Sequence, residues 1–183
     1  MTTNGDTLLR LARQTLEEHF GGAPVPRPLD EAWLWQKRAV FATLHKHGAL
    51  RGCVGQLVAS LPLFDAVREA VLSAAFRDHR FERVTADELP DLRIELSLLS
   101  PLERLEVHSE AEAISSLRAG VDGVVLSWRG HSGVFIPEMW KQLPDKREFL
   151  RHLRVKAGFP ADTWPSSMTV ERFTAEVWEE PTS

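Results

Sequence analysis

Ala39-Val-Phe-Ala-Thr-Leu-His45 and Leu50-Arg-Gly-Cys-Val-Gly-Gln-Leu-Val58 decide the fold class. Both runs are built from apolar and strand-forming residues, and Gly48 in the intervening Lys46-His47-Gly48-Ala49 can take the positive φ of a tight turn. They predict a β-hairpin. Just downstream, Leu63, Phe64, Val67, Ala70, Val71 and Ala74 recur at helical spacing behind Pro62, which predicts a helix buried along one face. Hairpins interspersed with helices, without a repeated βα unit, argue an α+β fold with a mainly antiparallel sheet.

Outward from the hairpin, Leu8, Leu9, Ala12, Leu16 and Phe20 give a one-faced helix over 6–20. Pro24, Pro26 and Pro28 make 21–31 an extended connection. Asp91–Leu99 alternates, with Leu92, Ile94, Leu96 and Leu98 on one face. Ser109-Glu-Ala-Glu112 caps a short helix, Val121–Trp128 reads as a strand, and Val134–Ile136 returns after a turn over 129–133. Asp145-Lys-Arg-Glu148 caps a further helix that Gly158 ends. Met168–Trp178 is read as one strand carrying a bulge, because Val170 and the later Phe173, Ala175 and Val177 differ in parity. The expectation is one domain over 6–178 with flexible ends at 1–5 and 179–183.

With 22 Lys+Arg against 26 Asp+Glu, the formal charge of −4 supplies no global field to collect nucleic acid or an anionic membrane. No segment approaches a membrane span, and the start has no basic region followed by an apolar core, so a cytoplasmic protein is expected. Cys53 is the single cysteine, which rules out an intramolecular disulfide and any multi-cysteine metal centre.

Candidate chemistry gathers in two stretches. In Leu50–Gly55, Gly52 and Gly55 bracket the thiol, and the i, i+2 spacing puts Arg51 and Cys53 on one strand face about 7 Å apart, where a guanidinium favours the nucleophilic thiolate. Against this stands the common role of a lone cysteine as a small buried hydrophobe. Arg77-Asp78-His79-Arg80-Phe81 packs four ionisable groups into a loop, where Asp78 serves as an arginine partner or as a base. His45, His47 and Cys53 have the residue types of a zinc site but no recognised ligand motif, and no cofactor is expected. Arg147, Arg151 and Arg154 form a basic stripe that grips phosphates or is simply a solvated helix face. The six tryptophans offer base stacking or, more simply, core packing.

Leu50-Arg-Gly-Cys-Val-Gly55, Asp78, Arg80-Phe81, Ile94-Glu-Leu-Ser-Leu-Leu-Ser-Pro101, Gly120-Val-Asp-Gly123, Gly133-Val-Phe-Ile-Pro137 and Lys156-Ala-Gly158 follow one another in an order that resembles the AMMECR-type domain family, over about residues 6–178. The resemblance implies a larger and a smaller subdomain separated by a cleft. It also implies the company of a Memo-like protein and a radical SAM enzyme, as in the AmmeMemoRadiSam system. Arg51, Gly52, Cys53, Gly55, Asp78, Arg80, Phe81, Pro137 and Lys156 fall on family motif positions, and the resemblance implies one candidate site made of them, with Cys53 as the candidate catalytic residue and the others binding a substrate or partner. His79, where the family often has Pro, and Glu138-Met139-Trp140 depart from its pattern.

The leading functional expectation is an accessory binding protein that holds a substrate, peptide or partner near Arg51, Cys53, Asp78 and Arg80. The alternatives are an enzyme with Cys53 as nucleophile and, last, an RNA-binding module using the basic stripe.

Overall fold

In the computed structural model, which describes residues 4–28 and 30–181, Ala39–Lys46 (β1) and Ala49–Gly55 (β2) pair as the expected antiparallel hairpin. His47 and Gly48 both take positive φ, 51° and 81°, so the turn tightens to two residues. The second strand stops at Gly55 rather than Val58; the Gln56 N–H still donates to the Val40 carbonyl, and the chain turns further on, where the Ser60 N–H donates to the Val58 carbonyl. Leu44 faces Gly52 while His45 faces Leu50, which leaves Arg51 as the extra residue of a bulge.

The chain divides into two units, residues 1–99 with 176–183, and 100–175. In the first, Leu92–Leu99 (β3) and Ala175–Glu179 (β8, the last strand in the chain) complete a four-stranded sheet ordered β2-β1-β3-β8. Val40, Ala42 and Leu44 alternate inward with Leu92, Ile94, Leu96 and Leu98. Against them pack Leu8, Ala12 and Leu16 of Asn4–His19 (α1) and Phe64, Val67, Val71 and Ala74 of Leu63–Phe76 (α2). Phe41, Thr43 and His45, with Arg93, Glu95 and Ser97, occupy the alternate positions and form the opposite face.

The second unit carries a sheet ordered β4-β7-β5-β6, from Glu103–Leu105 (β4), Gly123–Trp128 (β5), His131–Phe135 (β6) and Thr169–Phe173 (β7). Its core joins Val124, Leu126 and Val170 to Phe149, Leu150 and Leu153 of Lys146–Lys156 (α4), with Ala113 of Glu110–Ser116 (α3). Both predicted caps form: Ser109 accepts the Glu112 N–H, and Asp145 accepts those of Arg147 and Glu148. The β5–β6 turn is Arg129-Gly130, both at positive φ, so β6 restarts at His131, earlier than expected.

Met168–Trp178 is not one bulged strand. It is two strands in different sheets, broken at Thr174, and in the second Val177 is exposed while Trp178 packs on the core. Phe173 lies over Gly123, where a Cβ would come within 2.3 Å of its ring. Where flexible ends are expected, Asn4 and Gly5 open α1 and Glu179 closes β8. Residues 1–3, 182 and 183 of those ends lie outside the described residues. No helix among the described residues is long and apolar enough to cross a membrane.

Candidate functional site

The site grows from the free edge of β2. Cys53 and Thr43 face each other across the hairpin, and the Cys53 backbone points away from β1, so its N–H and C=O need partners elsewhere. Asp78, two residues beyond the end of α2, supplies one: its Oδ2 accepts the Cys53 N–H at 2.9 Å. Arg80 supplies the other, donating to the Cys53 carbonyl at 3.4 Å.

The Asp78 carboxylate is closed on itself by the same arginine. It accepts the Arg80 backbone N–H at 3.2 Å, Nε at 2.9 Å and Nη2 at 2.7 Å. Its side chain is 4% exposed and that of Arg80 51%. The Arg80 hydrogen bonds, helped by the Cys53 amide, hold the Asp78 carboxyl well below the usual carboxylate range despite burial. Reciprocally, Asp78 raises the Arg80 guanidinium above its ordinary value. Arg80 also stands over the Phe81 ring, 5.4 Å from its centroid. Asp78 and Arg80 therefore meet Cys53, as the shared-site expectation requires, and Phe81 lies beneath the Arg80 guanidinium.

Arg51 does not join them as expected. The bulge removes the simple i, i+2 relationship, and its guanidinium turns to the loop after α2. Nε and Nη2 donate to the two Glu88 oxygens at 3.0 Å each, while Nη1 and Nη2 donate to the Glu82 and Arg83 carbonyls. Lys46 joins Glu88 at 3.0 Å. These partners hold the Glu88 carboxyl down to about 2, the Arg51 bonds contributing most. Arg51 is thus a brace between β2 and the loop that carries Asp78 and Arg80. The sequence reading missed Glu88, although Thr85-Ala-Asp-Glu88 spells the capping box that the structure contains.

Both motif glycines answer to packing. A Cβ on Gly52 would stand 2.1 Å from the Ala74 carbonyl oxygen, so only glycine lets α2 approach the sheet this closely. A Cβ on Gly55 would meet the Val40 carbonyl oxygen and the Phe41 side chain, each at 2.4 Å.

The thiol of Cys53 is half-buried and receives the Thr43 hydroxyl at 3.2 Å. Among the described residues this hydroxyl is its hydrogen-bonding side-chain partner, and neither an imidazole nor a carboxylate bonds the sulfur. Asp78 touches the Cys53 backbone, not its sulfur, and its oxygens are committed. Among the described residues no side-chain base hydrogen-bonds the Cys53 sulfur, while the Arg80 guanidinium interacts with the thiol electrostatically.

Pro137 and Lys156 belong to the second unit. Pro137 opens a 3-10 turn, Pro137–Lys141, that stacks Trp140 on Phe149 at 3.6 Å and sends its indole N–H to the Asp122 carbonyl at 2.7 Å. Of the departure Glu138-Met139-Trp140, Trp140 is thus part of the core and Met139 packs against it, while Glu138 is exposed and pairs with Lys141. Lys156 donates to the Val134 carbonyl at 2.8 Å and lies 5.1 Å from the Phe135 ring centroid, tying the end of α4 to β6.

His47 sits in the hairpin turn, 3.6 Å from Asp91, which takes it out of any set with His45 and Cys53. The basic stripe is broken at Arg154, which is buried and donates to the Ala161 carbonyl and to Glu110, each at 2.7 Å. Arg151 has Glu148 and Asp162 each at 3.7 Å. Trp140 is buried, and the other five tryptophans pack at the edges of the two cores.

The AMMECR1 family profile matches residues 9–178. A protein of Methanothermobacter thermautotrophicus is 40% identical over 181 residues, covering 96% of this chain and 94% of its own. A protein of Methanocaldococcus jannaschii is 33% identical over 96% of this chain and 90% of its own. The crystal structure of an uncharacterized protein, PH0010 from Pyrococcus horikoshii, superposes with a TM-score of 0.85 at 35% identity, covering 96% of this chain and 91% of that one. With the profile spanning residues 9–178 and a relative 40% identical over 96% of the chain, the chain belongs to the AMMECR1 family.

Proposed function

We propose that this chain is an accessory binding protein of a modification system containing a Memo-like protein and a radical SAM enzyme, and that it captures a partner or substrate segment at the surface around Cys53 and Arg80. The observation that carries this reading is the contrast between the two side chains. Arg80 is half-exposed yet fixed by Asp78 and Phe81, so its outward N–H groups are pre-organised for a carboxylate or a backbone carbonyl. Cys53 has a hydroxyl beside it and no base, which suits a small contact surface better than a nucleophile. Arg51, Gly52, Gly55 and Glu88 hold this surface in place from behind, while Pro137 and Lys156 serve the second unit in the same supporting way.

The test is capture of purified Memo-like and radical SAM proteins from one genome by the immobilised full chain. Arg80→Ala is expected to weaken capture at least tenfold at a temperature where the variant is still fully folded, since losing the partner of the buried Asp78 carboxylate itself costs about 2 kcal/mol of stability. Equal capture by wild type and Arg80→Ala, or capture by neither, overturns the proposal.

A further inference from the structure

On the face of the first sheet opposite α1 and α2, three strands bring His45 of β1, Glu95 of β3 and Glu179 of β8 together. One ligating atom from each lies within 4.8 Å of the other two. His45 Nε2 stands 4.0 Å from Glu95 Oε2, too far for a hydrogen bond. That nitrogen is buried and has no hydrogen-bond partner, although it is aimed at two carboxylates. A buried polar atom without a partner is costly, and this imidazole nitrogen lies where a cation would meet it and an oxygen of each of the two carboxylates.

We propose that His45, Glu95 and Glu179 form a zinc site. An imidazole nitrogen with two carboxylates is a donor set of the kind zinc accepts, and three protein ligands leave one tetrahedral position open to water or to a bound group. Bonds of about 2.0–2.2 Å put tetrahedral ligands about 3.3 Å apart, so the three atoms need to draw in by about an ångström, within reach of side-chain torsions. Arg93, opposite His45 in the β1–β3 pairing, bonds Glu179 at 2.6 Å and serves as the outer partner that orients this carboxylate. Thr43 pairs with both Glu95 and Cys53, so the open position lies on the same sheet face as the thiol, about two strand spacings away. The set differs from the His45, His47 and Cys53 combination that the sequence suggests, and it does not depend on the binding reading.

The test is titration of the untagged, chelator-treated full chain with zinc chloride by calorimetry. About one equivalent is expected, with affinity falling by at least about ten- to a hundredfold in His45→Ala and in Glu95→Gln, and unchanged in Cys53→Ser. If a variant fails to fold, the cobalt(II) form of the wild type decides. Stoichiometric d–d absorption without a thiolate charge-transfer band supports the site; absence of the first or presence of the second overturns it. Sub-stoichiometric zinc uptake, uptake indifferent to His45→Ala, or uptake lost in Cys53→Ser also overturns it. Partner capture is measured separately, so loss of one claim leaves the other standing.

Discussion

Asp78 holds Cys53 by its backbone: the carboxylate accepts the Cys53 N–H at 2.9 Å, while the sulfur of the same residue receives the Thr43 hydroxyl on the sheet face. An aspartate and a cysteine brought together in this way look like a catalytic pair in projection. The geometry makes the aspartate a clip for a strand edge, with Arg80 completing the clip at the carbonyl.

Asp78→Asn is expected to destabilise the chain by about 2 kcal/mol at pH 7, the usual magnitude for hydrogen bonds to a charged group. The folded carboxyl is held below its unfolded value of about 3.9, so its contribution is present above that pH and fades as pH falls toward the folded value. Urea unfolding across acid pH checks this: the gap between wild type and Asp78→Asn should narrow on acidification.

Glu88 behaves alike in a neighbouring window. Its folded carboxyl titrates near 2 against an ordinary 4.5, so the Arg51 brace stabilises fully above about 4.5 and is lost between there and about 2. A double-mutant cycle of Arg51→Met and Glu88→Gln should report coupling of about 2 kcal/mol at pH 7, with both partners largely buried, and much less near pH 2.

Gly52→Ala and Gly48→Ala should separate packing from conformation. The first drives a Cβ into the Ala74 carbonyl oxygen and is expected to cost about 3 kcal/mol or more. The second meets nothing within 4 Å and suffers only its positive φ of 81°, about 1 kcal/mol. Thermal melts of the two variants check the order.

Arg147→Glu with Arg151→Glu should change stability by less than about 1 kcal/mol, because both side chains are exposed. Arg154→Met, which strands Glu110 and the Ala161 carbonyl, should cost about 3 kcal/mol. Chemical unfolding distinguishes them.

What could be read in advance follows the range of the interactions. The hairpin, the two capped helices and the alternating strand rest on local period and capping, and each appears within a few residues of its expected place. The Met168–Trp178 run misled because period alone does not reveal that a chain changes sheets at Thr174. β4 is three residues long and has no period to detect. At the site, the meeting of Asp78 and Arg80 with Cys53 was foreseeable from chain geometry, but Arg51 was misplaced because a one-residue bulge is invisible in an alternation pattern. The His45, Glu95 and Glu179 cluster needs the register of three strands, the last arriving from the far end of the chain.

Cys53→Ser, which keeps the size of the side chain and removes the nucleophile, tests the central claim most directly. Its dissociation constants for the Memo-like and radical SAM proteins should lie within about threefold of wild type, a difference below 1 kcal/mol, and mass spectrometry of the reconstituted system should show the same modified product. Loss of the product with partner capture intact would make Cys53 a catalytic thiol and contradict the account.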